Sequence, residues 1–187
     1  MIKKDLSRTF PEVEEFKIDT SSGKNRLYNV LKAYAHYDPE VGYCQGMNYV
    51  VAMLIKYIKS EEAAFNVLID LMKRGNWREL YLQSMSRLHD LLNLLGEELR
   101  CHLPNTYNHL LNLGIEFNGL FSHIFLTAFI YRTPIELSTR IFDLFIITHE
   151  KVLIGTIINM LRIMEDKLLA FDSMVFLNES NRMCISI

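Results

Sequence analysis

Residues 42–48, "GYCQGMN", set a cysteine, an uncharged amide and two glycines before an apolar run, "YVVAMLIKYI". The run is buried-helix material, so Gln45 rides at the mouth of a hydrophobic helix. Cys44 raises the question of thiol chemistry, which needs a base such as histidine in reach or a helix N-terminus to lower the thiol pKa. A helix start and His36 are both near in sequence. "YCQGM" nevertheless matches no cysteine-protease signature, and Cys44 reads as a small apolar packing residue. Gln45 by itself reads as an amide satisfying its own helix start. At the beginning of the chain, "MIKKDLSRTFP" places Ile2, Asp5 and Thr9 along one face of a short helix. Arg8 follows Asp5 at the i,i+3 spacing, alone no more than a surface ion pair worth about 0.2–0.5 kcal/mol. Pro11 predicts an extended Phe10 and an end to that helix.

The remaining residues offer little other chemistry. His36, His89, His102, His109, His123 and His149 form no HExxH and no tight pair, and Pro104 separates His102 from His109. This argues against a metal site. There is no glycine-rich phosphate loop and no Gly-x-Ser-x-Gly elbow. Cys44, Cys101 and Cys184 are odd in number and widely spaced, which argues for a reducing compartment without a disulfide framework or zinc.

Helices must position these residues. Leu27, Val30, Leu31 and Tyr34 fall at i, i+3, i+4, i+7, as do Phe65, Leu68, Ile69 and Met72. Met85, Leu88, Leu92, Leu95 and Leu99 make a continuous stripe. Ser60 before Glu61 and Glu62 predicts an N-cap, and Gly75 after Lys73 and Arg74 a stop. Pro104 and Gly114 bracket "NTYNHLLNL"; Asn118 is placed to cap "GLFSHIFLTAFIY"; Pro134 opens "IELSTRIFDLFI". With no strand-like alternation, no repeat and no low-complexity linker, the expectation is an all-α protein of roughly eight to ten helices. The polar gap is 17–25, "KIDTSSGKN", and the tail "NESNRMCISI" has no assigned place.

The 187 residues fit one ordinary domain, half hydrophobic and 22% charged, with a net charge of −2. Such a balance gives no electrostatic case for nucleic acid. The N-terminus lacks an apolar signal core, and "GLFSHIFLTAFIY" is too short to span a bilayer. The expectation is a soluble cytoplasmic protein with no direct membrane insertion.

Two stretches taken together carry more than either alone. Ile2-x-x-Asp5-x-x-Arg8 followed by "TFP", and later "YDPEVGYCQGMN", resembles the TBC domain, the helical domain of Rab GTPase-activating proteins. That family's pattern is IxxDxxR followed by YxQG, and both are complete here in Ile2, Asp5, Arg8 and Tyr43, Gln45, Gly46. The likeness continues through "IFLTAFIYRTPIELSTRIFDLFI", with Arg140 and Asp143 at their usual places, to "LLAFDSMVFL". It departs where the family usually has tryptophan, at Ile124 and Phe142. The family also has helices before IxxDxxR, so the resemblance implies a TBC domain over 1–187 that lacks the most N-terminal helices.

The resemblance implies a GTPase activator acting in trans on a GTP-bound Rab-family small GTPase, through an arginine finger, Arg8, and a glutamine finger, Gln45. The chain would not be an enzyme in its own right. It would hold no cofactor, since GTP and magnesium stay with the partner GTPase, and would reach endomembranes through that partner. Those residue types suit phosphoryl transfer to water. A guanidinium stays ionised and can bridge phosphate oxygens with its planar fork. An amide can orient a water and reach a phosphate oxygen without adding negative charge. Gly46 permits close backbone approach, Tyr43 braces the loop by packing, and Asp5 steers Arg8 or bonds the Gln45 loop. The alternative is a TBC-like adaptor that binds a GTPase or another trafficking protein without accelerating hydrolysis. Which Rab, and the oligomeric state, are left open.

Overall fold

The computed structural model describes residues 1–17, 22–131 and 133–170. Eleven α-helices and one 3₁₀ segment appear among them, with no strand. This is more than the eight to ten expected. The surplus lies in α2 (Glu14–Lys17) and α11 (Glu165–Leu169), four and five residues long and too short to show a period, whereas α1 (Ile2–Leu6) is the short helix expected before Pro11. The chain divides into two compact units, Met1–Ser86 and Arg87–Ile187.

In the first unit the most buried element is α4 (Met47–Tyr57), whose residues from Met47 to Ile55 are all buried. Its apolar sequence requires cover on every side. That cover comes from α3 (Ser22–Tyr37), through the expected Leu27, Val30, Leu31 and Tyr34, and from α5 (Glu61–Lys73). The buried face of α5 is rotated from the one expected: Ala64, Leu68, Leu71 and Met72 are inside, while Phe65 and Ile69 are only half-buried. Ser60 caps α5 by accepting the Ala63 N–H at 3.2 Å. Arg26 reaches from α3 to the end of α4, donating to the Ile58 carbonyl at 2.5 Å and pairing with Glu15 at 3.0 Å. It thereby satisfies a carbonyl left over at a helix C-terminus. After α5, Gly75 and Asn76 both take positive φ, and the 3₁₀ segment Arg74–Leu80 buries Trp77 and Leu80.

The second unit holds α6 (Ser86–His102), α7 (Pro104–Asn112), α8 (Phe117–Leu126), α9 (Ile135–Thr148), α10 (Glu150–Ile163) and α11. Helix α10 packs against α8, α9 and α11, and α11 against α7. Leu88, Leu92, Leu95 and Leu99 are buried along α6 as expected, but Met85 has φ 48° and precedes the helix. Pro104 is at the first turn of α7 and Gly114 follows its end at φ 68°. Two expectations fail at α8. Asn118 lies inside the helix, where its side chain accepts from Ser122 at 2.5 Å, and Glu116 occupies the cap position. The helix stops at Leu126 and does not run to Tyr131. Ala128 and Phe129 adopt positive φ, and the Phe129 N–H closes on the Ile124 carbonyl at 3.0 Å, a Schellman-type end built without glycine. Thr127 supports it, donating to the His123 carbonyl and accepting the Tyr131 N–H.

Ile124 and Phe142, where the resemblance departs from tryptophan, are both core residues, 3% and 4% exposed. Arg140 and Asp143 are exposed on α9. No helix among the described residues is long and apolar enough to cross a membrane. The "NESNRMCISI" tail and part of the 17–25 gap lie outside the described residues.

Candidate functional site

The site is built from α1 with the turn after it and from the loop that enters α4, all within Met1–Ser86. Helix α1 ends at Leu6, and two turn bonds, Arg8 N–H to Asp5 and Thr9 N–H to Leu6, continue the reversal. Asp5 and Thr9 are thereby buried while Arg8 stays exposed. Phe10 does not take the extended conformation that Pro11 favours; its φ is 47°. Burial explains this: the ring is 4% exposed and packs against Phe16 and edge-on to Tyr49. The Tyr49 hydroxyl donates to the Arg8 carbonyl at 3.2 Å, fixing the arginine's backbone to α4.

On the other side, Gly46 enters α4 at φ 110°, ψ −34°, a conformation that disfavours any side chain. Gln45, immediately before it, is exposed. Between the two exposed residues runs a ring of hydrogen bonds. Asp5 Oδ1 holds Arg8 Nη2 at 2.7 Å, and Asp5 Oδ2 accepts the Tyr43 hydroxyl. Asn48 Oδ1 accepts the Gly46 N–H at 3.1 Å, and Asn48 Nδ2 donates to Thr9 Oγ1 at 2.8 Å. Thr9 closes the ring by donating to the Asp5 carbonyl at 2.6 Å. Tyr43 lies 3.3 Å from Asn48 Oδ1 as well. A phenol has one proton, and the carboxylate is the stronger acceptor.

Tyr43 is therefore tied to Asp5 by a hydrogen bond, and Asp5 contacts both Arg8 and the loop that carries Gln45. Burial, and then the bond to Asp5, push the Tyr43 phenol well above its ordinary range, so it remains a donor. The Arg8–Asp5 contact uses one nitrogen of a fork that carries five N–H donors. Arg8 keeps 45% of its side chain exposed, against 9% for Asp5.

The same geometry disfavours thiol chemistry. Burial raises the Cys44 pKa, and its thiol donates to the Gln45 carbonyl. His36, the base nearest in sequence, directs Nδ1 to the Lys32 carbonyl at 2.7 Å. Asn48 and the Thr9 hydroxyl are the participants that spacing missed as partners. The signal was present in Asn48, an amide within an apolar helix, since a buried polar group needs bonded neighbours.

Arg8 and Gln45 thus stand exposed and joined through Asp5, Tyr43 and Asn48, the residues on which any likeness to known proteins must bear. Residues 1–169 match the Rab-GTPase-TBC domain family. The chain belongs to that family. Its fold is the all-α TBC fold, and the TBC domain of the Chlamydomonas flagellar RabGAP superposes with a TM-score of 0.83 at 28% identity. That superposition covers 98% of this chain and 61% of the other. The TBC chain is 38% identical to the Rab GTPase-activating protein eat-17 of Caenorhabditis elegans over 147 residues, 79% of its own length. It is 36% identical to the GTPase-activating protein GYP5 of Saccharomyces cerevisiae over 93% of its length. It spans only 16% of the former and 19% of the latter.

Proposed function

We propose that this TBC chain accelerates GTP hydrolysis by a GTP-loaded Rab-type small GTPase, lending Arg8 and Gln45 to the GTPase's nucleotide site. The observation that carries this is the ring joining Asp5, Tyr43, Asn48 and Thr9. It fixes the bases of two exposed side chains of the types that phosphoryl transfer to water calls for. The relatives' names, Rab GTPase-activating protein and GTPase-activating protein, support the same reading.

Hydrolysis spreads negative charge over the oxygens around the transferred phosphoryl group while a water attacks in line. Arg8 would meet that charge with the free part of its fork, Asp5 setting the direction from which it arrives. Gln45 would orient the water with its carbonyl and reach a phosphate oxygen with its NH₂. Positive φ at Gly46 brings the loop backbone close without a side chain in the way. GTP and magnesium would belong to the partner, and this chain adds positioning and charge. An arginine supplied in this way is worth roughly 10³–10⁵ in rate.

The test is phosphate release from a panel of GTP-loaded Rab proteins with wild type, Arg8→Ala and Gln45→Ala at equal concentration. Acceleration of at least one member, lost on Arg8→Ala by a factor of about 10³ or more and largely lost on Gln45→Ala, is the expected result. Binding of a GTP-loaded Rab without acceleration would instead make the chain an adaptor.

A further inference from the structure

The loop carrying Gln45, residues 38–46, is anchored at both ends, and only the end at Gly46 is explained by the finger network. The other end is Asp38. Arg78, in the 3₁₀ segment after α5, donates to both oxygens of Asp38, Nε to Oδ2 at 2.5 Å and Nη2 to Oδ1 at 2.8 Å. The same Nη2 reaches Glu40 at 2.6 Å. One guanidinium thus grips both carboxylates that flank Pro39. Tyr34 approaches Asp38 Oδ2 at 3.3 Å; burial raises its phenol pKa, so it too faces the carboxylate as a donor.

Asp38 passes this restraint into the loop. It accepts the Val41 N–H on its side chain at 3.4 Å and the Gly42 N–H on its carbonyl at 2.8 Å. Gly42 then turns the chain at φ 59° toward Tyr43 and Gln45. Arg78 is itself presented from a fixed base: its neighbours Trp77 and Leu80 are buried, and the Trp77 and Tyr81 rings meet edge-on at 5.3 Å. Two polar clusters, Asp5–Tyr43–Asn48 and Arg78–Asp38, therefore hold one loop from opposite ends.

We propose that Arg78 is a positioning residue for Gln45: its fork fixes Asp38 and so sets the direction in which loop 38–46 carries the amide. The catalytic consequence rests on the GTPase-activating reading above; the restraint itself does not. A planar fork that binds two oxygens fixes orientation as well as distance, which a lysine ammonium cannot do.

Arg78→Lys in the full chain keeps the charge and removes the fork. Hydrogen–deuterium exchange needs no GTPase and should become about tenfold faster at the amides of 41–46 while α3 and α4 keep their protection. Unchanged exchange at 41–46, or equal acceleration across α3 and α4, overturns the proposal. The second readout is single-turnover hydrolysis by a panel GTPase that wild type accelerates. There, Arg78→Lys should lower the maximal rate by about 10–100-fold at an unchanged half-saturating concentration. Combining it with Gln45→Ala should cost no more than Gln45→Ala alone, because Arg78 acts through Gln45. Additive losses, or a loss confined to half-saturation, overturn it. If wild type accelerates no GTPase, the functional reading fails by itself, and the exchange result still decides whether Arg78 restrains the loop.

Discussion

At the residue scale, the proposed function asks two exposed side chains, Arg8 and Gln45, to leave the surface at fixed points. Tyr43 and Asn48 hold those points from beneath, and they should fail differently. Tyr43→Phe keeps the ring and removes the donor to Asp5, leaving that buried carboxylate a partner short. Stimulated hydrolysis should fall about 10–100-fold through misplacement of Arg8 and the loop, with about 1–2 kcal/mol of stability lost. A Tyr43→Phe chain that stimulates at the wild-type rate would place the phenol outside the mechanism. Asn48 offers a sharper comparison, because it is fully buried and uses both ends of its amide. Asn48→Ala should cost about 1–3 kcal/mol for the bonds it strands. The near-isosteric Asn48→Asp keeps the acceptor for Gly46 but turns an oxygen toward Thr9 and buries a charge near Asp5. It should cost more, about 3–5 kcal/mol. Urea unfolding of both variants at neutral pH checks the order, and a milder loss for Asp than for Ala would contradict the hydrogen-bond assignment.

At the element scale, legibility followed how local the cause was. The α3 face, the Ser60 cap, the Pro104 start and the Gly75 stop each depend on a few neighbouring residues, and each is where spacing put it. Arg8, Gln45, Asp5 and Tyr43 were legible as motifs, whereas their joining through Asn48 and Thr9 depends on tertiary contact, to which periodicity is blind. Two of the failures, at Phe10 and at the end of α8, share one cause: buried non-glycine residues at positive φ. Phe10, Ala128 and Phe129 turn the chain where no glycine announces a turn, because packing outweighs backbone strain of about 1–3 kcal/mol each. His149 carries the same strain at the joint of α9 and α10, with φ 54° and ψ −142° in a region that favours glycine. It is only half-buried, so little packing offsets the strain. His149→Gly should therefore stabilise by about 1 kcal/mol, the relieved strain less the added chain entropy. A rise in melting temperature is the expected observation, and a fall would show that the imidazole holds the joint.

At the scale of the molecule, the candidate site lies wholly in Met1–Ser86, the unit that also holds Tyr34 and Tyr81. Three of its phenols, Tyr34, Tyr43 and Tyr81, are held well above their ordinary value of 10.0, in each case first by burial. Asp38 and Asp5 respectively add to the shift at the first two. A phenol whose folded pKa is raised contributes stability that is fully present below its unfolded value and is lost as pH rises through the folded one. The unit should thus resist alkali until these phenols are forced to ionise, and then open as they do. Titrating the nine tyrosines by tyrosinate absorbance alongside helical circular dichroism reads both events. The phenolate belonging to these three should appear only with loss of helicity, as a steep late phase that Tyr43→Phe reduces. Complete tyrosine ionisation near pH 10 in a chain that keeps its helicity would mean that the Tyr43 phenol is open to water, and the hydrogen bond between Asp5 and the Gln45 loop would have to be abandoned with it.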